Sequence, residues 1–157
     1  MCSSDLTEIG LPLTLMRLRP HHHAVVLEMG MHAIGDIRLL ASIAEPRIGI
    51  VTNVQSSHLE RLGSLERIAD AKAELPESLL SNGLAVLNAD DLRVRAMTER
   101  TRARTTLYGL SADAAVRATN PVSHGLRGVE FRLHIGGKSA QVHLPLLGLQ
   151  SIHAALA

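Results

Sequence analysis

Residues 25 to 53 constrain the fold of this chain more than any other stretch. Val25-Val26-Leu27 is a run of apolar side chains closed by an acid, Glu28, inside an apolar segment from Ala24 to Met29. A continuous apolar run of that length suits a parallel strand buried on both faces. Gly35 to Glu45 then places Ile37, Leu40, Ile43 and Ala44 at helical spacing, and Pro46 closes the segment. Ile48 to Asn53 is a second apolar run, and it ends in the polar pair Thr52-Asn53. Strand, helix and strand in that order predict a right-handed βαβ unit. The expected class is therefore α/β, with a mostly parallel sheet flanked by helices.

The rest of the chain extends that pattern. Ile9 to Leu18 is apolar, and Pro12 suits a first helical turn, so a short helix is expected from about Pro12 until Arg19-Pro20 ends it. His21-His22-His23 follows, but neighbours in an extended segment point to alternate faces, which predicts a solvated turn rather than a metal site. Ser64 is a plausible N-cap for a helix through about Leu80, with Pro76 predicting a kink or break. Leu84 to Leu87 reads as a third buried strand, ending in Asn88-Ala89-Asp90-Asp91. Asp90 or Asp91 can cap a helix from Leu92 to about Glu99, and Thr105 to Leu110 reads as a fourth parallel strand.

From Ala114 the period changes. Val116, Val129, Phe131, Leu133, Ile135, Val142 and Leu144 alternate with polar residues, and Gly136-Gly137 separates two of the runs. That is an antiparallel hairpin with one face exposed, a small β subdomain attached to the parallel sheet. The expected division is a leader over 1–6, a parallel α/β part over 7–112, the β subdomain over 113–147 and the start of a helix over 148–157. The leader has no periodicity and the last helix stops within its first turns, so both ends read as cuts from something longer.

Composition narrows the function classes. The chain has 157 residues, a formal charge of +1 and two large aromatics, Tyr108 and Phe131. Charges of both signs are interspersed, and there are few rings to stack on bases, so nucleic acid is not an expected partner. The single cysteine, Cys2, excludes an internal disulfide and a multi-cysteine zinc site and fits a reducing, cytoplasmic setting. No apolar run reaches membrane-spanning length.

In an open α/β sheet, ligands bind at the carboxyl ends of the parallel strands. Glu28, Asn53 and Asn88 fall at three successive strand ends, and His58 follows on the loop after the second. A carboxylate such as Glu28 at the mouth of a buried strand requires a cation, an ion-pair partner or hydrogen-bond donors; Mg²⁺ is one such cation, because it takes oxygen ligands. His58 is either a metal ligand or a capping group. Lys72 lies on the face of Ile68, Ala69 and Leu75, so it either reaches out to water or points inward at the site. No glycine-rich phosphate loop ending in Gly-Lys-Ser/Thr lies between a predicted parallel strand and its helix; Gly30 and Gly35 lack that spacing.

These motifs, taken together and in order, resemble the central ATP-binding domain of the Mur ligases. The resemblance is carried by Ile9-Gly10-Leu11-Pro12, Glu28-Met29-Gly30, Gly35-Asp36-Ile37, Thr52-Asn53, His58-Leu59-Glu60, Gly63-Ser64, Ala71-Lys72-Ala73-Glu74-Leu75 and Asn88-Ala89-Asp90-Asp91. Within the family, Glu28-Met29-Gly30 followed by Gly35-Asp36-Ile37 is most similar to the members that add D-alanyl-D-alanine to UDP-N-acetylmuramoyl-tripeptide in peptidoglycan synthesis. The resemblance implies ATP and Mg²⁺ as cofactors, those two substrates, an acyl-phosphate intermediate and a monomer. It implies that Glu28 and His58 hold metal, that Lys72 is a carbamylated lysine acting with His58, and that Asn53 lines the cofactor site. The chain departs from the family at Gln150, Ser151 and Ala154, where adenine-contacting residues are expected. The alternatives are a related superfamily ligase of folylpolyglutamate or cyanophycin type, and a catalytically dead scaffold of the same fold.

Overall fold

The computed structural model of the chain describes residues 7–55 and 62–157. Its core is one six-stranded mixed sheet in the order β1-β2-β3-β4-β5-β6. The strands are β1 (Ile48–Val51), β2 (Leu84–Asn88), β3 (Arg104–Gly109), β4 (Val116–Ser123), β5 (Val129–Ile135) and β6 (Lys138–Leu144). The first four are parallel to their neighbours, whereas β4, β5 and β6 pair antiparallel. The antiparallel strands thus extend the parallel sheet, and Gly136-Gly137 makes the β5–β6 turn with positive φ at both residues. Pro121 sits where the β4–β5 register shifts, between Thr119 and Val122, the irregular position at which a strand tolerates proline.

Among the described residues five α-helices accompany the sheet: α1 (Gly10–Leu15), α2 (Asp36–Ala44), α3 (Leu65–Ser78), α4 (Leu92–Ala96) and α5 (Ser151–Leu156). Residue alternation along the strands sends neighbours to opposite faces, and each face has its own core. Leu87 packs with Ile68, Ala71, Leu79, Val94 and Met97 in the cluster that includes α3 and α4. Tyr108 packs with Phe131, Ile152 and Leu156 in the cluster that includes α5. Burying side chains of this size stabilises by about 1.5–3 kcal/mol each.

The caps follow the sequence. Ser64 Oγ accepts from Arg67 N at 3.2 Å at the start of α3, and Asp91 Oδ1 accepts from Arg93 N and Val94 N at the start of α4. Pro76 does not interrupt α3 in its middle; it lies in the last turn, and the helix ends two residues later at Ser78. There it removes only one intrahelical donor.

One expected element did not form. Residues 24–29 are not a strand, and Val26 is 90% exposed and Val25 42%. An apolar run identifies material suited to a buried strand, but a strand also needs a ladder partner. Among the described residues β1 pairs only with β2, and nothing pairs with 24–29. The first strand of the expected βαβ unit is instead an irregular segment that leads into α2.

Tyr108 presents a second departure from simple packing. Its ring is fully buried, and its hydroxyl has no hydrogen-bond partner among the described residues. Burial, with Asp90 and Asp91 adding negative charge nearby, pushes the phenol up to about 12. A buried hydroxyl without a partner is a net cost. Tyr108→Phe is therefore expected to leave stability unchanged or raise it by about 1 kcal/mol, read as the urea midpoint at constant m-value. A loss of 1 kcal/mol or more would show that the hydroxyl is satisfied in solution.

Candidate functional site at the strand ends

The carboxyl ends of β1, β2 and β3 carry a dense polar network, and its elements come from far apart in sequence. The backbone just after β1 is held at three successive residues. Asn88 Nδ2 donates to Thr52 O at 2.8 Å, Lys72 Nζ donates to Asn53 O at 2.7 Å, and Val54 N donates to Asp91 Oδ2 at 2.7 Å. Asn88 is buried, with its Oδ1 accepting from Asp90 N at 2.9 Å. Asp91 therefore uses one oxygen to cap α4 and the other to hold the segment after β1.

Lys72 points inward, toward Asn53 O, rather than out to water. It is half-buried on α3 between apolar neighbours. Burial lowers the pKa of its amine from 10.5, and the charge of Asp91 works against that shift. Asn53 joins Lys72 through its backbone carbonyl, while its side chain stays partly exposed. Glu28 is exposed at the end of its irregular segment, and its carboxylate makes no hydrogen bond or ion pair among the described residues. His58 lies outside the described residues. The structure thus brings Lys72, Asn53, Asn88 and Asp91 together.

The donor set bears on a metal. No group of three or more His, Cys, Asp or Glu side chains is gathered to hold an ion among the described residues. A protein-made cage for Zn²⁺ or Ca²⁺ is absent there. A free carboxylate such as that of Glu28 is the kind of donor Mg²⁺ accepts, since that ion keeps most of its waters and takes one or two protein oxygens. The histidines at 21–23 are exposed, and His22 Nδ1 instead accepts from Arg19 N at 2.9 Å in a turn. A recess of about 200 Å³ between α3 and α4, lined by Glu66, Asp70, Arg93 and Arg100 among others, lies away from this chemistry, and its rim is closed by surface ion pairs.

A second acid was not singled out as a site by the sequence pattern. Asp90 accepts from Leu110 N at 2.7 Å, Ser111 N at 2.9 Å, Ser111 Oγ at 2.5 Å and His153 Nε2 at 2.8 Å. It ties the end of β3 to α5, and its bond to His153 spans 63 positions of sequence. Gly109 makes room for it, because a Cβ there would stand 2.5 Å from Asp90 Oδ2. The departures at Gln150 and Ser151 are absorbed locally: Ser151 Oγ donates to Gly148 O at 2.7 Å, and Gln150 Nε2 reaches Leu147 O at 3.5 Å.

The family model for the Mur ligase middle domain matches residues 2–157. The UDP-N-acetylmuramoyl-tripeptide–D-alanyl-D-alanine ligase of Mycobacterium bovis is 40% identical over 150 residues, covering 95% of this chain and 29% of that protein. MurF from Acinetobacter baumannii has the same fold, with a TM-score of 0.91 at 24% identity over 99% of this chain and 34% of that one. MurF ligase from Thermotoga maritima, solved in complex with ADP, gives a TM-score of 0.81 at 28% identity over 95% of this chain and 35% of that one. The chain spans about a third of the length of these relatives. No described helix is long and apolar enough to cross a membrane.

The Asp90 cluster generates a pH dependence. Burial pushes its carboxyl up, but the bonds from Ser111, Leu110 and His153 outweigh that and hold it below 3.8. A carboxyl depressed in the folded state contributes stability that is full above its unfolded value and is lost as pH falls through the folded one. Asp90→Asn is therefore expected to cost stability at pH 6 and to approach the wild type as pH falls toward about 2. Urea midpoints at both pH values check this; parallel acid limbs would refute it.

Proposed function

The chain belongs to the Mur ligase family through its middle domain, and we propose that it supplies the phosphate-side half of the site of an ATP-dependent amide ligase. The reaction class is the joining of D-alanyl-D-alanine to UDP-N-acetylmuramoyl-tripeptide. The substrate carboxylate takes the γ-phosphoryl group of ATP, which leaves an acyl phosphate and ADP. The free amine of the dipeptide then attacks the acyl carbon; phosphate departs, the amine loses a proton and an amide forms. Catalysis of this kind rests on positioned charge around a transferring phosphoryl group.

The observation that carries this reading is the inward Lys72, hydrogen-bonded to Asn53 O at the carboxyl end of β1. Burial lowers its pKa, which favours the neutral amine, and a neutral amine can add CO₂ to form a carbamate with loss of a proton. The product is an anion on a helix that faces the strand ends. Glu28, with its carboxylate free, is the residue that would hold Mg²⁺, and His58 is the second candidate ligand. When bound, Mg²⁺ neutralises phosphate charge. Asn53, held by Lys72 through its carbonyl oxygen, would line the cofactor site. The 40% identity to a ligase named for this substrate pair favours it over folylpolyglutamate and cyanophycin chemistry.

Two outcomes check the proposal. In ¹³C-bicarbonate, the chain is expected to show a carbamate resonance that Lys72→Arg lacks, because a guanidinium does not form one; the same spectrum from both would remove Lys72 from its role. The Gly-Lys-Ser of this chain, Gly137-Lys138-Ser139, lies in the β5–β6 hairpin and not between a parallel strand and a helix, so by itself the chain is expected to release no ADP above a Glu28→Ala control in the presence of both substrates. The full reaction is tested in a polypeptide that joins this domain to the remaining segments found in its relatives. D-alanyl-D-alanine-dependent ADP release supports the assignment. Release that instead depends on glutamate moves it to the folylpolyglutamate class.

A further inference from the structure

We infer that Glu74 is a positioning residue that fixes the Glu28 segment against the helix of Lys72; the inference rests on the roles proposed above for those two residues. No ladder holds residues 24–29, so the placement of Glu28 depends on what anchors the chain immediately after it. Met29 packs partly buried on the α3 side of the sheet, and Met31 is 4% exposed. His32 N and Ala33 N both donate to Asp36 Oδ2, at 2.7 and 2.8 Å. These bonds shape the turn, but they are local and cannot place it on the rest of the molecule.

Glu74 supplies a long-range polar anchor. Its side chain is 1% exposed, and each carboxylate oxygen takes one backbone donor: Gly35 N at 2.7 Å and Arg38 N at 3.1 Å. Gly35 is the N-cap of α2 and Arg38 lies in its first turn, so neither amide has a partner within that helix. A buried carboxylate is costly unless donors satisfy it, and here the donors lie 39 and 36 positions away. Gly35 presents its N–H from a left-handed conformation, φ 105°, that suits glycine. The guanidinium of Arg38 lies 4.0 Å from Glu74 but closes a shorter pair with Glu77, at 3.1 Å. Lys72 precedes Glu74 by two residues on α3. One rigid helix therefore carries both the site amine and the anchor of the loop that presents Glu28.

The test uses the 157-residue chain with Mn²⁺ as the probe, read by water-proton relaxation, and amide hydrogen exchange over residues 28–38. Glu74→Gln keeps the shape but replaces one acceptor oxygen with an NH₂ group. It is expected to weaken Mn²⁺ binding at least tenfold and to speed exchange over residues 28–35 at least tenfold, with β2 and β3 protected as in the wild type. Ile68→Val, a fully buried change on the same helix, measures what general loss of stability does and is expected to keep Mn²⁺ affinity within twofold. If Glu74→Gln keeps its affinity within twofold of the wild type, or loses no more than Ile68→Val, the positioning role is overturned. Should Glu74→Gln fail to fold, Glu74→Asp retains two acceptor oxygens on a shorter stem; wild-type affinity and exchange in that variant overturn the role equally. Wild-type Mn²⁺ binding no tighter than that of Glu28→Ala would sink the metal reading of Glu28. Exchange then decides Glu74 alone: unchanged protection over 28–35 refutes the anchor, and accelerated exchange sustains it.

Discussion

The structure depends on how the backbone is held where β1 stops. At Thr52, Asn53 and Val54 the ladder has ended, yet the peptide groups are still partly buried and must be satisfied. Three side chains do this: Asn88 and Asp91 from the end of β2, and Lys72 from α3. The contacts set the register between strand ends and helix where ladder bonds no longer can. Because Asp91 also caps α4, the start of that helix and the exit of β1 are coupled through one carboxylate.

The neighbouring acid does the complementary job. Asp90 and Asp91 are adjacent, and the two carboxylates serve opposite sides of β2. Asp91 bonds toward β1 and α4, over the core that contains Ile68 and Leu87. Asp90 bonds toward the end of β3 and His153 on α5, over the core that contains Tyr108 and Ile152. A single turn after β2 thus joins both packed layers at the edge where the candidate site lies. The glycine at 109 follows from this arrangement, since any side chain there would occupy the space of the Asp90 carboxylate.

The elements most legible in the sequence were those that local rules decide. Ser64 and Asp91 as caps, α2 and α3 from their periodicity, and the hairpin at Gly136-Gly137 all rest on contacts within a few residues. Residues 24–29 show where that legibility ends. The run has the composition of a buried strand, but pairing is a property of two segments, and composition reports on one. Glu74 was hidden for the opposite reason. An acid among Ala, Leu and Lys in a helix reads as a solvated position, and only the docking of α2 shows that its face is buried. The Asp90–His153 contact joins residues too distant in sequence for any spacing rule to connect. Lys72 stood between two readings until the fold placed Asn53 O within its reach.

The hydrogen bond of Lys72 also bears on whether its nitrogen can change state without disturbing the fold. An ammonium group offers three donors, a neutral amine two, and a carbamate nitrogen keeps one. The bond to Asn53 O needs only one. The exit of β1 can therefore stay pinned in all three states, while the negative end of a carbamate extends past the nitrogen. The charge of Asp91 pulls the other way, because it favours the ammonium. A cation at the strand ends would offset that pull. The same carboxylate that shapes the site would then oppose the anionic form of Lys72 until positive charge arrives, coupling the state of the lysine to occupancy of the site through electrostatics alone.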